Sequence, residues 1–298
     1  MRMERQLDFT TPLLPRRVVG SSCPVCGEER SRFVIADGNS SLYRCRRCAF
    51  LFVLPRPTAD ELKVLYTDEY FAGDDMAAAA LPFRAPVFRQ CLETLQPLLP
   101  RRGRLLDVGC WTGDFVEAAN HAGFSASGIE LSTKAARFAS NVRKLDVHGC
   151  TLGCAPYPAA SFDAVTILDV LEHVLDPVGE LQHARALLRP AAILVVRVPN
   201  TVFHLAKTRV CRMLNVSDIG LQTRYHLNHF TPRTLRFTLQ NAGFEVLLLQ
   251  VGAPELIAHA AWATPWAKRA YVRFATGVHR FTRTHVENIT VAYARRKD

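Results

Sequence analysis

The 298 residues are 49% hydrophobic and 21% charged, with a net charge of +10. That balance supports a sizeable core and excludes disordered, collagen-like and low-complexity architectures. No uncharged apolar run approaches the roughly 18–20 residues of a membrane span, and MRMERQLDFTTPLLPRRVVG lacks the apolar centre of a secretory signal, so a cytoplasmic protein is expected.

Residues 1–20 read as a tail. Residues 21–58 carry four of the nine cysteines as Cys23-x2-Cys26 and Cys45-x2-Cys48, a spacing that brings four thiolates onto one ion. RFVIAD and SLYRC between the pairs have strand character, and DGN marks their turn. The expectation is a zinc ribbon. Its zinc is structural, because four thiolates leave no position for water. The other five cysteines have no metal spacing, and an odd total of nine without a signal peptide leads us to expect no disulfide framework.

Residues 59–100 read as a helical linker or cap. TADELKVLY has Thr58 as N-cap and Glu61 as its capping-box partner, and a further helix covers roughly 84–99. From 101 to 298 strands and helices alternate. RLLDVG, FSASGIEL, LDVHGC, FDAVTILDV, AAILVVRVPN, FEVLLLQV and NITVAYARR are seven strands. A helix is predicted from Leu171, directly after the fourth of them, and TPRTLRFTLQNAGF is a capped helix. Such repetition implies an α/β fold with a mostly parallel sheet, helices on both faces and a ligand site at the strands' carboxyl ends.

Asp107-Val-Gly-Cys-Trp-Thr-Gly113 is the chemistry-bearing loop. Gly109 lets the chain turn sharply after the first strand and Gly113 opens the next helix. Asp107 would repel a pyrophosphate, the Lys of a P-loop is missing, and Glu130 ends the second strand where ribose hydroxyls need an acceptor. Two acids so placed suit a nucleoside with a cationic tail, such as S-adenosylmethionine.

LLDVGCWTGDF, GIELS and PAASFDAVTILDVLEHVLDP, in that order, resemble the motifs of the class I S-adenosylmethionine-dependent methyltransferases. The resemblance implies a Rossmann-like seven-stranded sheet with the last strand antiparallel. It also implies a cofactor site of Asp107, Gly109, Cys110, Gly113, Glu130, Leu131, Leu168 and Asp169. Trp111 stands where the family usually has a glycine, and Gly153-Cys154 where many members carry an adenine-binding acid. The cysteine-rich head and HLNHFTPRTLRFTLQNAGFEV are similar to the bacterial zinc-ribbon methyltransferases that tailor saccharides, lipid-linked glycans and secondary metabolites.

Methyl transfer to a hydroxyl or carbon acid requires a proton to be removed, a task that suits histidine. The candidates are His173 after the fourth strand and His226, His229 and Tyr225 in Tyr225-His226-Leu-Asn-His229-Phe. In the sugar C-methyltransferases of the group, a Tyr/Glu-His pair in a similar string supplies acid–base groups. Capping and packing are the structural alternative for each.

The charge surplus sits in two stretches. Residues 197–240 hold seven basic side chains against one acidic, and 255–298 hold eight against three. Solvated faces and attraction to an anionic partner both fit. The insertion near 201–224 reads as a substrate lid whose cations suit a phosphate-bearing or lipid-linked acceptor. The insertion near 254–285 reads as an amphipathic helix, packed on the fold, touching the inner membrane surface or docking a partner.

The expected function is methyl transfer from S-adenosylmethionine to a hydroxyl or activated carbon of a saccharide, glycolipid or natural product. The rivals are an RNA methyltransferase, disfavoured because no N-P-P-[YF]-type tetrapeptide follows the fourth strand, and a non-catalytic cofactor-binding subunit.

Overall fold

The computed structural model describes residues 22–64, 82–99, 101–215, 221–253, 255 and 288–297. The N-terminal tail, the 65–81 tract and nearly all of the 254–285 insertion lie outside them.

Two sheets organise the chain. The larger has seven strands: β4 (Arg104–Val108), β5 (Ser125–Ile129), β6 (Val147–His148), β7 (Phe162–Leu168), β8 (Leu188–Pro199), β10 (Phe244–Val251) and β11 (Ile289–Arg296). Their spatial order is β10-β11-β8-β7-β4-β5-β6. β6, β5, β4, β7 and β8 run parallel, and β11 lies antiparallel between β8 and β10. The expected seven-stranded sheet with its last strand antiparallel is therefore present. β7 and β8 read as near-continuous apolar runs because helices cover both faces of the sheet. The third strand is only two residues long.

Local sequence explains the helices. α1 (Ala59–Val64) begins on the predicted capping box: the Glu61 N–H donates to Thr58 Oγ1 at 3.2 Å, and the Thr58 N–H donates to Glu61 Oε2 at 2.7 Å. α2 (Ala85–Leu95) buries Val87, Phe88, Cys91, Leu92 and Leu95, one stripe of a helix. α3 (Asp114–His121) and α4 (Thr133–Arg137) follow β4 and β5. α5 (Pro177–Leu187) is capped by Asp176, whose carboxylate accepts from Val178 and Gly179 N–H. The helix predicted from Leu171 therefore begins six residues later. Residues 171–173 form a turn instead: the Leu171, Val174 and Leu175 carbonyls accept from the Asn228 and Arg56 side chains, and the Glu172 carbonyl accepts from the Leu227 and Asn228 backbone. α6 (Thr201–Met213) occupies the first half of the 201–224 insertion. α7 (Pro232–Asn241) starts at a Thr231/Thr234 capping box.

The smaller sheet is antiparallel, in the order β1 (Ser31–Asp37), β2 (Ser40–Cys45), β3 (Leu51–Leu54), β9 (Asn228–His229). Its fourth strand comes from far along the chain: Leu51 pairs with His229 and Phe52 with Asn228. Phe50 and Phe230 meet edge to face at 5.1 Å, inside an apolar cluster that runs from Val25 through Phe52 to Leu106, Ile167 and Leu235. The cysteine-bearing segment thus shares its core with one face of the large sheet, while α2 and α3 cover the other face.

A buried polar node binds these parts. The Arg56 guanidinium is 6% exposed and donates to the carbonyls of Leu227, Val174 and Leu175 and to Asn228 Oδ1. The Asn228 amide in turn donates to Leu171 O at 3.1 Å and Val174 O at 2.6 Å. Breaking such a node strands buried groups that water cannot reach. Asn228→Ala is expected to lower the unfolding free energy by about 2–4 kcal/mol, read from urea denaturation.

Candidate functional site

Strand order reverses between β4 and β7, and a doubly wound sheet opens its ligand crevice there. A cleft at this point is lined by Arg84, Asp107, Gly109, Trp111, Asp114 and Leu168, among others. The backbone reaches it through a left-handed turn. Gly109 has φ of 70°, and a Cβ there would lie 2.5 Å from Val170 Cγ2. Gly113, at φ of 85°, opens α3. Asp107 is buried, and its Oδ1 accepts from Thr166 Oγ1 on the neighbouring strand at 2.6 Å. Burial pushes its carboxyl up to about 7, against the pull of Thr166 and the Arg84 charge.

Trp111 stands in the left-handed region that favours glycine. Its φ is 52°, a conformation that costs a bulky residue energy. Its N–H donates to Glu130 Oε2 at 2.9 Å, and the Ser132 N–H donates to Glu130 Oε1 at 2.8 Å. Glu130 thereby fastens the loop after β4 to the end of β5, and burial raises its pKa. The Cys110 sulfur fills the space left by Gly128, where a Cβ would sit 2.5 Å from it. The Leu131 side chain is exposed and is not among the cleft's lining residues.

Asp169 also has a left-handed backbone, with φ of 59°. Its Oδ2 accepts from Arg84 and from Arg197, and Glu255 lies 3.4 Å from Arg84 Nε and 3.5 Å from Arg197 Nη1. Asp169 and Leu168 were both expected beside the cofactor at the end of the fourth strand. The Asp169 carboxylate is engaged in a quartet of two cations and two anions, and Leu168 lines the cleft.

Beyond Asp169 the chain turns into a polar cluster that unites three of the predicted histidines, His229 buried and His173 and His226 partly so. The His173 and His226 rings lie 4.8 Å apart and the His226 and His229 rings 6.4 Å apart, all edge to face. Tyr225 joins through its backbone: His173 Nδ1 lies 3.0 Å from the Tyr225 carbonyl. Burial holds all three imidazoles below the usual histidine range, His229 at about 4, and the neighbouring histidines add to the effect on His226. All three are therefore neutral near pH 7. Glu172, 2% exposed, completes the cluster, with Oε1 4.0 Å from His173 Nε2. Burial first, and then the Asp169 charge, push its pKa well up.

In the smaller sheet, Cys23 and Cys48 have sulfurs 3.6 Å apart, as do Cys26 and Cys45, and all four sulfurs lie within 4.8 Å of one another. Burial, with the adjoining sulfurs, pushes the Cys26 thiol up to about 11.

Sequence reasoning missed Glu172, Arg84 and Arg197. Arg197 had a signal, as the one charge inside the apolar run AILVVRV. Glu172 adjoins a predicted histidine, but its neighbours 54 or more residues away become visible only on folding.

Known proteins give the context. Residues 83–249 match a family model described as a methyltransferase domain. A ubiquinone biosynthesis O-methyltransferase of Haemophilus ducreyi is 32% identical over 107 residues, 33% of this chain and 45% of that protein. Its Xanthomonas axonopodis pv. citri counterpart is 30% identical over 158 residues, 50% of this chain and 65% of that protein. The chain thus spans less than two thirds of these curated relatives. A Burkholderia thailandensis 1,6-didemethyltoxoflavin-N1-methyltransferase, solved with S-adenosylhomocysteine, has the same fold, with a TM-score of 0.55 at 17% identity, over 89% of this chain and 99% of that one.

The Asp107 carboxyl gives a sign that can be measured. Its folded pKa of about 7 stands above its unfolded value, so its contribution to stability is present at low pH and lost as pH rises toward 7. Asp107→Asn should gain stability relative to the unsubstituted protein by about 1.4 kcal/mol per pH unit from pH 5 to 7, then level off. Urea titrations of both proteins across that range check this, and a flat difference would refute it.

Proposed function

The chain belongs to the methyltransferase-domain family, and from that premise we propose that it transfers a methyl group from S-adenosylmethionine to a hydroxyl oxygen of a small molecule. The observation that carries this reading is one loop, Asp169–Val174, that leaves the cleft and enters a partly buried cluster of neutral imidazoles. The names of the O-methyltransferase relatives support oxygen as the acceptor atom. The acceptor class we favour remains a saccharide, glycolipid or natural product, phosphate-bearing or lipid-linked, drawn by the cations of residues 197–240.

The residues present fit the cofactor. The left-handed Gly109 leaves room that a Cβ would fill, and Asp107 offers a carboxylate to a cationic methionine end. Asp107, Gly109, Trp111 and Gly113 would hold that end, and Glu130 would receive the ribose hydroxyls while keeping its bonds to Trp111 and Ser132. When bound, S-adenosylmethionine supplies a methyl group already activated on a sulfonium. The protein's remaining tasks are to align the acceptor and to take its proton. His229 suits the second: it is neutral, and its buried Nε2 has no hydrogen-bond partner among the described residues.

The four cysteines fit a structural zinc. An ion with Zn–S bonds of about 2.3 Å sets tetrahedral sulfur separations of about 3.8 Å, close to those present. Raised thiol pKa values also mean that ionising the group together needs a cation among the sulfurs. We place the protein in the cytoplasm, with any contact to the inner membrane face made by residues 254–285. No described helix is long and apolar enough to cross a membrane.

Two measurements test this reading. With methyl-labelled S-adenosylmethionine and a fractionated extract, label is expected in saccharide or lipid fractions as a methyl ether. Label removed by ribonuclease would overturn it in favour of an RNA acceptor. A thiol-specific mercurial should release one equivalent of zinc from the purified chain and none from Cys48→Ser, whose melting temperature should also fall.

A further inference from the structure

We propose that Glu172, His173 and His226 form a second cation site, for a first-row transition ion of the zinc, iron or manganese class, and that this ion holds the acceptor's hydroxyl oxygen. The inference rests on the methyl-transfer reading for the identity of that oxygen, though not for the existence of the site.

The three residues offer one carboxylate oxygen and two imidazole nitrogens, all within 4.8 Å of one another. The tautomer of His173 follows from its partner. A carbonyl oxygen only accepts, so the Nδ1 that lies 3.0 Å from Tyr225 O carries the proton. The lone pair is therefore on Nε2, the nitrogen on the Glu172 side, 4.0 Å from Oε1. A metal-binding histidine is typically fixed in this way, with its second nitrogen donating to a backbone carbonyl.

Glu172 supplies the independent observation. It is 2% exposed, and its Oε2 has no hydrogen-bond partner among the described residues. Leaving such an atom buried and unsatisfied is costly, and native structures rarely do so without a ligand to account for it. Nor is the 4.0 Å gap to His173 a hydrogen bond. It is near the spacing of roughly 3–4 Å that two ligands adopt around an ion bound at about 2.0–2.2 Å. Asp169 is not the missing partner, because Arg84 and Arg197 already hold it.

The scaffold holds the donors from both sides. The Glu172 carbonyl accepts from Leu227 N–H at 2.8 Å and Asn228 N–H at 2.9 Å, which ties the loop of Glu172 and His173 to the segment of His226. Two imidazoles with one carboxylate favour a transition ion over calcium or magnesium, which prefer oxygen shells. Three protein ligands leave room for a substrate oxygen. Coordination there lowers the hydroxyl's pKa. Its proton passes to His229 Nε2, and the oxygen forms its bond to the methyl carbon as the carbon–sulfur bond breaks, that electron pair staying on sulfur.

The test is a Co2+ titration of the full chain with its cysteine site already filled by zinc, read by visible absorption. One further equivalent of Co2+ should bind without a thiolate charge-transfer band. Affinity should fall at least tenfold in Glu172→Gln and in His226→Gln, and His229→Gln should bind as the unsubstituted protein does. Circular dichroism identifies a variant that fails to fold, in which case the other carries the test. No second equivalent, or one indifferent to both substitutions, would overturn the site. Methyl transfer without Co2+ binding removes the cation and leaves the methyltransferase reading intact. Co2+ binding by a chain that does not bind S-adenosylmethionine leaves the site and removes the reading it was attached to.

Discussion

A single buried guanidinium sets the relation between the parts of this molecule. Arg56 ends the cysteine-bearing segment, yet its bonds go to the loop after β7 and to the segment just before α7. A cation 6% exposed, with no carboxylate in its hydrogen-bond shell among the described residues, is stable only while those carbonyls and Asn228 surround it, and burial lowers its pKa to about 10. Three stretches of chain distant in sequence are therefore held in one register. Two of them carry the clustered histidines.

The site inherits its form from this register and from the reversal of strand order. Parallel strands set Asp107 beside Thr166 and end in the same cleft that Leu168 lines, and two non-glycine residues in the left-handed region, Trp111 and Asp169, turn the chain away from the strand ends. Each is held by a charged partner, Glu130 for the first and two arginines for the second. Backbone strain of this sort persists only where surrounding bonds over-determine it. The carboxylates near the cleft thus shape the backbone as well as offering charge to a ligand.

Much of this was legible in the sequence because it is local. The Thr58 capping box, the hairpin between the cysteine pairs and the apolar strands β7 and β8 depend on near neighbours. The gathering of His173, His226 and His229 was not, since it depends on contacts across more than fifty residues, although each residue had been singled out alone. The helix predicted from Leu171 misjudged a competition: the apolar spacing suits a helix, but Asn228 and Arg56 take the carbonyls that the helix would use. The two residues of β9 are too few to show a strand pattern. Asp169 was legible as a residue at the end of the fourth strand, but its arginine partners enter from β8 and from the segment before α2.

The origin of β9 bears on how such a chain is inherited. Because Leu51 and Phe52 pair with His229 and Asn228, the cysteine-bearing segment is not a detachable cassette. Recombination that exchanged it at the apparent linker, near residue 58, would part the two halves of one hydrogen-bond ladder. It would also empty the pocket that Phe50 fills against Phe230. Such heads and the stretch around 226–230 should therefore travel through evolution together, as one inheritance written in two places.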